Sequence, residues 1–275
     1  MSSTATVFTH SIGRKVVMGL TGLFLVTFLF VHVGGNSLLF IPDDGRTFNA
    51  FVKFMTTNPL IKGLELVLAA GFIFHIIYAF ILTAKNNAAR PVKYAFKGAK
   101  DKGSSWVSRN MIWTGGIVLL FLLLHIPMFY GTYHFNKTGN GTVTLQKAFE
   151  DNWKVKEEVA VNGVTIVKKD SYVGTDEMLF VQANDLQNKE VKALSMTQIV
   201  KESFSNPLMA GFYVICMVFL SLHLMHGFQS GFRTLGLVHK KYTPLIKFAG
   251  IVIAGVIPFL FALMPIVYYI RETMM

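Results

Sequence analysis

Residues 208–229 read LMAGFYVICMVFLSLHLMHGFQ, a run of 22 residues without Asp, Glu, Lys or Arg. About 20 apolar residues in a helix cross the hydrocarbon core of a bilayer, so this run predicts a membrane-spanning helix. Four further runs meet the same test, and the chain therefore predicts five spans. They are span 1 (Lys15–Phe40), span 2 (Leu60–Thr83), span 3 (Met111–Tyr133), span 4 (Leu208–Gln229) and span 5 (Lys247–Ile270).

The composition of the 275-residue chain also indicates a membrane protein. Apolar residues make up 52% and charged residues 15%, whereas soluble domains usually carry about a quarter charged residues. This excludes a disordered chain, a collagen-like repeat and a coiled coil, and it argues against an ordinary soluble enzyme. The net charge of +11 fits basic cytoplasmic loops better than nucleic-acid binding in so apolar a chain. Cys216 is the single cysteine, which excludes disulfides, Cys-based zinc sites and Cys-ligated iron–sulfur clusters within the chain.

The charge of the loops predicts the orientation of the spans. The connection between spans 2 and 3, residues 84–110, carries seven basic residues and one acid, and the connection after span 4 is also basic. Positive charge marks cytoplasmic loops. We therefore predict an all-α membrane protein with a cytoplasmic N-terminus and an external C-terminus. Residues 1–131 would hold spans 1–3, residues 132–206 an extracytoplasmic insertion, and residues 207–275 spans 4 and 5.

The predicted insertion is polar, with nine basic and ten acidic residues. Its segment Val159–Val167 places apolar runs on both sides of Asn162-Gly163, a pair typical of a type I′ hairpin turn. We expect a β-hairpin here, no strong hydrophobic core, and a cap over the outer face of the protein.

Histidines mark the candidate site. Five of the eight lie within spans: His32 in span 1, His75 in span 2, His125 in span 3, and His223 and His226 in span 4. An ionisable side chain inside a membrane helix is costly and is a functional candidate by default. A hydrogen bond between helices would explain any single one equally well. One histidine on each of four consecutive spans favours a shared function.

The depths of these histidines divide them into two pairs. At 1.5 Å per residue, His32 and His125 lie about 25 and 21 Å from the inner ends of their spans, and His75 and His223 about 12 and 9 Å. Two imidazoles at one depth on different helices are what a bis-histidine haem requires, one ring on each axial face. We predict an outer and an inner pair, with spans 1–4 bundled around two haems. His226 lies one turn from His223 and could take its place.

Zinc is the competing metal. It takes three or four protein ligands in one place, a set that neither level supplies. The respiratory cytochrome b of the bc type carries its ligands as widely spaced histidines on two shared helices. That architecture is disfavoured here, because the spans carry one histidine each apart from span 4.

Two segments resemble a known family. Gly13-Arg14-Lys15, Gly19-Leu20-Thr21-Gly22, Phe30-Val31-His32 and Gly35-Asn36 together resemble the first helix of the cytochrome b subunits of succinate dehydrogenase and fumarate reductase. Residues 223–236, HLMHGFQSGFRTLG, and the following His239–Leu245 resemble the fourth helix of the cytochrome b558 type. That type is a single-chain, five-helix, two-haem membrane anchor typical of menaquinone-using bacteria. The resemblance covers all five spans but not the long insertion.

The resemblance implies the same haem pairing as the depths. It places two haems b in the chain, with His32 and His125 on the outer one and His75 and His223 on the inner one. His223 is preferred because the ligand in the family stands four residues before a glycine, here Gly227. His226 is then an alternative ligand or a propionate contact.

The resemblance also implies partners and a location. The chain would be the membrane subunit of a succinate:quinone oxidoreductase in the bacterial cytoplasmic membrane, and the complex could form a homo-oligomer. It would bind a flavoprotein subunit, which holds the succinate site, and an iron–sulfur subunit, and it would exchange electrons with menaquinone. Arg14, Lys15, Arg109 and Arg233 lie near the inner level, where each could pair with a haem propionate. The usual excess of positive charge in cytoplasmic loops explains each of these four basic residues more simply.

Glu65 is the only carboxylate within the spans. It is a candidate proton relay for quinone chemistry, or alternatively an interfacial residue that faces water or Lys62. Two other functions stay open for the whole chain. One is a cytochrome b anchor for a different respiratory dehydrogenase. The other is a non-redox transporter or scaffold, although the repeated or discontinuous helices of transporters are missing from the sequence.

Overall fold

A computed structural model describes residues 11–89, 109–161, 164–174 and 189–274, and the chain is mostly helical. The helices are α1 (Ser11–Ser37), α2 (Arg46–Thr57), α3 (Pro59–Ala88), α4 (Met111–Ile126), α5 (Thr132–Phe135), α6 (Leu145–Glu150), α7 (Met196–Phe204), α8 (Pro207–Thr234) and α9 (Thr243–Met274). The strands are β1 (Gly141–Thr144), β2 (Lys154–Val155), β3 (Val159–Val161), β4 (Val164–Val167), β5 (Ser171–Tyr172) and β6 (Glu190–Leu194).

Five of these helices are long and apolar enough to cross a membrane, and the five predicted spans are thereby confirmed. They correspond to α1, α3, α4, α8 and α9. Span 1 continues through a 3₁₀ turn at Leu38–Phe40, and span 3 continues through a π-helical turn at Pro127–Gly131 into α5. Each span, with these continuations included, contains the range that hydropathy predicted. The physical reason is that a backbone in lipid must satisfy its own hydrogen bonds, and a helix does so within one segment. Residues 90–108, which carry most of the predicted basic connection, lie outside the described residues.

Asparagine followed by proline starts two of the spans. The side chain of Asn58 accepts from the backbone N–H of Leu60 at 2.9 Å, and Asn206 accepts from that of Leu208 at 2.9 Å. Asn is a preferred N-cap residue, and proline at the next position loses no helical hydrogen bond. The α8 helix ends at Thr234, and Gly236 two residues later has a φ of 75°, a left-handed conformation suited to glycine.

The insertion contains more β-structure than the sequence predicted. Four strands form an antiparallel sheet in the order β1-β6-β2-β5, and β3 pairs with β4 as a separate hairpin. The predicted hairpin is confirmed, with Val159 opposite Val167; its turn residues, 162 and 163, lie outside the described residues. The prediction for this region had included the hairpin alone, and the four-stranded sheet adds to it. The sheet was missed because β2 and β5 have two residues each, too few to show an alternating pattern.

A packed hydrophobic cluster supports the insertion. Its buried members are Leu145, Ala148, Val155, Val159, Val167, Val173 and Val191, all 2% exposed or less. The expectation that the insertion lacks a strong core was therefore wrong. The valines that looked like isolated strand residues converge because α6 and the strands present them to one interior.

The chain divides into two compact contact units. The first comprises Met1–Val33, Gly63–Leu120 and Ile215–Phe261, and the second comprises Gly34–Lys62, Phe121–Val214 and Ala262–Met275. In the first unit, the beginnings of spans 1, 3 and 5 are grouped with the ends of spans 2 and 4. Helices α1 and α8 approach closely there, since a Cβ on Gly19 would lie 3.4 Å from the carbonyl oxygen of Gly231. Small residues permit this approach.

In the second unit, α2 packs against the insertion. The buried side-chain oxygen of Asn49 accepts hydrogen bonds from the backbone N–H of Thr197 at 3.2 Å and from the hydroxyls of Ser195 and Thr197 at 3.2 and 3.0 Å. Arg46 forms an ion pair with the nearly buried Asp151 at 3.2 Å. The connection between spans 1 and 2 therefore contacts the insertion directly.

Candidate functional site

Two of the five span histidines face one another in the first unit. His75 lies in the middle of α3 and His223 in the C-terminal half of α8, both half-buried. Their ring centroids are 6.2 Å apart, and the ring planes are inclined by 76°. These are the residues that depth placed in the inner pair. His226, one turn further along α8, is also half-buried, and the choice of His223 over it stays a prediction that this ring contact supports.

Helix α1 contacts the His75 ring through two adjacent residues. The hydroxyl of Thr21 lies 3.4 Å from the Nδ1 atom of His75. A Cβ on Gly22 would lie 3.3 Å from Cε1 and 3.6 Å from Nδ1 of the same ring. The absence of a side chain at Gly22 therefore gives the imidazole its place beside the α1 backbone.

Helix α4 contacts the His223 ring in a similar way. A Cβ on Gly115 would lie 3.0 Å from Cε1 and 3.3 Å from Nδ1 of His223, closer than ordinary van der Waals contact. The Nδ1 atom is buried and has no hydrogen-bond partner in the part of the chain that the structure describes. Buried polar atoms are normally satisfied, and an exception calls for an explanation.

The spacing of the two rings fits a pair of axial haem ligands. With metal–nitrogen bonds of about 2.0 Å and ring centres about 1.1 Å behind the nitrogens, two opposed axial imidazoles have centroids roughly 6 Å apart. Among the described residues, no three His, Cys, Asp or Glu side chains are grouped so that they could hold a metal ion. A pair of imidazoles without further protein ligands suits a metal whose equatorial positions a porphyrin fills. The residues present therefore fit a haem.

His125 lies in the second unit among aromatic side chains. Its Nδ1 atom is 3.3 Å from the hydroxyl of Tyr213, and its ring stacks on Phe121 with centroids 5.2 Å apart and tilts against Phe129 at 5.1 Å. The Tyr213 hydroxyl donates to the sulfur of Met128 at 3.6 Å.

His32 lies in the first unit and also has aromatic neighbours. Its ring stacks on Phe28 at 5.2 Å and tilts against Phe261 at 5.3 Å. Because His32 and His125 belong to different units, their assignment as an outer pair stays a prediction. The surroundings of each ring are apolar and aromatic, which suits a flat, apolar cofactor as well as ordinary packing.

The four predicted propionate partners occupy different positions in the first unit. Arg14 is half-buried in the first turn of α1, whereas Lys15 and Arg109 are exposed. Arg233 lines a groove of about 120 Å³ between the end of α8 and the start of α9, together with Gln229 and Lys247. Their pairing with propionates stays a prediction.

Glu65 is half-buried in the second turn of α3, one turn after Lys62. Its role as a proton relay stays a prediction. In the sequence, Gly19 and Gly22 stood out only as part of the segment that resembles the first helix of the family. Nothing in the sequence identified Thr21 or Gly115 as neighbours of the imidazoles, because their distances from His75 and His223 depend on how separate helices pack.

Comparison with known proteins adds no relative to these observations: no family model, curated protein or solved structure matches the chain. The candidate site therefore depends on its own geometry and on the chemistry of its side chains.

Proposed function

We propose that this chain is the di-haem cytochrome b anchor of a bacterial succinate:menaquinone oxidoreductase. The observation that carries the proposal is the adjacent imidazole pair of His75 and His223, whose ring centroids are 6.2 Å apart on two long apolar helices. Bis-histidine haem b would supply one-electron transfer between an iron–sulfur subunit and menaquinone, since filled axial positions disfavour binding of O₂.

The protein side chains would hold and orient the cofactors. His75 and His223 would provide the axial nitrogens of the inner haem, and Gly22 and Gly115 would leave room for their rings. His32 and His125 would provide those of the outer haem. Phe28, Phe121 and Phe129 lie against these two rings and would restrict their rotation and exclude water.

The family resemblance implies the partners, and the charge of the chain suits them. Basic residues near the inner pair would attract the propionates and the docked iron–sulfur subunit, and the flavoprotein subunit would carry the succinate site. Glu65 would exchange protons with menaquinone near the other end of span 2. A carboxylate in an apolar environment can hold a proton near neutral pH and is therefore suited to this exchange.

A spectrum tests the haem proposal. The purified chain, reduced with dithionite, should show b-type absorption bands, and a pyridine haemochrome assay should give two haems per chain. His75→Ala and His223→Ala should each lose one haem. His134→Ala should keep both, because His134 lies outside the membrane histidine pairs and its ring contacts Tyr130 instead. Absence of b-type bands in the wild-type chain would overturn the proposal.

Co-purification tests the assignment to succinate oxidation. A tagged chain isolated from its native membrane in mild detergent should bring down a flavoprotein with covalently or tightly bound flavin and an iron–sulfur subunit, with succinate:quinone reductase activity. Recovery of hydrogenase or formate dehydrogenase subunits would assign the chain to a different dehydrogenase. Isolation of a haem-containing chain with none of these partner subunits would exclude the anchor role.

A further inference from the structure

The two facing imidazoles differ in one contact. The Nδ1 atom of His75 lies 3.4 Å from the hydroxyl oxygen of Thr21, whereas the Nδ1 atom of His223 is buried without a hydrogen-bond partner among the described residues. Both rings pack against a glycine of a neighbouring helix, Gly22 for His75 and Gly115 for His223. The glycine contacts are therefore alike, and the hydroxyl is the difference.

The hydrogen bonds of Thr21 fix the direction of its contact with His75. Its hydroxyl donates within α1, to the carbonyl oxygen of Val17 at 2.8 Å and to that of Met18 at 3.2 Å. A hydroxyl has one proton and two lone pairs. Since the proton is directed at the backbone, the oxygen accepts from His75. The ring must then carry its proton on Nδ1, which leaves the lone pair on Nε2.

This tautomer has a consequence for ligation. A metal-bound imidazole that donates its other N–H to an acceptor has a fixed orientation and is a stronger electron donor. The contact of 3.4 Å is at the long end of the hydrogen-bond range, so the effect at His75 is moderate. At His223 no such acceptor lies within hydrogen-bond distance of Nδ1 among the residues that the structure describes.

We propose that Thr21 is a positioning residue that selects the Nε2-ligating tautomer of His75 and makes the inner pair electronically unequal. This inference depends on the proposed function, since it describes how Thr21 would act on a haem held by His75. Stronger donation from one axial ligand stabilises oxidised iron and lowers the midpoint potential. Removal of the Thr21 hydroxyl should therefore raise the potential of the inner haem and leave that of the outer haem unchanged.

Thr21→Val tests this, because valine keeps the branched shape and removes the hydroxyl. Redox titration monitored by absorbance should show one of the two midpoint potentials raised by up to about 59 mV, which is a tenfold change in a one-electron equilibrium. Thr21→Ser, which keeps the hydroxyl, should restore the wild-type value. Loss of one haem in Thr21→Val but not in Thr21→Ser would support the same conclusion.

Thr27→Val is the matched control. Thr27 lies on the same helix and makes the same kind of bond, to the carbonyl of Leu23 at 3.1 Å, but it is exposed. Equal shifts in the Thr21 and Thr27 valine variants, or unchanged potentials with both haems present in Thr21→Val, would overturn the inference. A wild-type chain without haem would instead overturn the proposed function, so the two failures are distinguishable.

Discussion

Substitution of Gly115 by alanine should displace the His223 ring. The added Cβ would lie 3.0 Å from Cε1 and 3.3 Å from Nδ1 of that ring, so the ring or α4 must move by several tenths of an ångström. The neighbouring Gly116 offers a matched control, because a Cβ there meets no atom within 4 Å. Both glycines lie in the same helix and neither has a positive φ, so only the steric contact differs.

The magnitude follows from two opposing terms. Alanine in place of glycine stabilises a helix by up to about 1 kcal/mol, and this gain is common to both variants. Overpacking of a well-packed contact costs about 1–3 kcal/mol, and it applies to Gly115 alone. Gly116→Ala should thus stabilise the protein slightly, and Gly115→Ala should be about 1–3 kcal/mol less stable than Gly116→Ala.

Thermal unfolding in detergent at one scan rate is the assay, with haem content measured on the same samples. For a chain of this size, 1 kcal/mol corresponds to roughly 2–4 °C in Tm, so the two variants should differ by several degrees. Gly115→Ala should also lose haem from the inner pair, whereas Gly116→Ala should keep it. Equal Tm values and equal haem content in the two variants would refute the packing of His223 against α4.

Two further predictions concern the second unit and can be measured by thermal unfolding or local hydrogen exchange. Gly45→Ala should destabilise the protein more than Gly236→Ala. Both glycines have a positive φ, which costs alanine about 1–2 kcal/mol. Only at Gly45 would the new Cβ also collide with another side chain, that of Thr197. Asp170→Asn should destabilise the insertion by about 1–3 kcal/mol and more than Lys156→Met, because it leaves the buried Lys156 ammonium without its carboxylate partner. The hydrogen bond from Lys156 lowers the pKa of Asp170 below its usual 3.8, so this pair stabilises the fold above that pH and loses its effect as the pH falls below it. An acid transition that is unchanged in Asp170→Asn would contradict this assignment.

The membrane-spanning part of the fold could be predicted almost completely. Hydropathy located all five spans within a few residues of their observed ends, as the Asn-Pro starts of α3 and α8 illustrate. The insertion was predicted less well. Its hairpin around Val159 and Val167 showed a local alternation, but the four-stranded sheet did not, because β6 pairs on either side with β1 and β2, strands that lie about 40 or more residues earlier. Such pairings leave no periodic signal in a single sequence.

The candidate site, too, was predictable in part. The residue types and depths of His75 and His223 were sufficient to pair them, since helix rise converts sequence position into depth. The contacts that orient the rings were not predictable. Thr21, Gly22 and Gly115 lie on other helices, and their proximity depends on how those helices pack and rotate about their axes.

The sequence alone therefore determined what the bilayer demands, namely five long apolar helices, and it placed a histidine on each of four of them. Length and hydropathy are sufficient for this, because lipid offers the backbone no hydrogen-bond partner. Only the tertiary structure decided that the ring centroids of His75 and His223 lie 6.2 Å apart and that the insertion has a core of its own. It also decided that Nδ1 of His75 lies near a hydroxyl, whereas Nδ1 of His223 has no hydrogen-bond partner in the described part of the chain. These features depend on side-chain packing between segments that are far apart in the sequence. Such packing cannot be read from the positions of the residues along the chain.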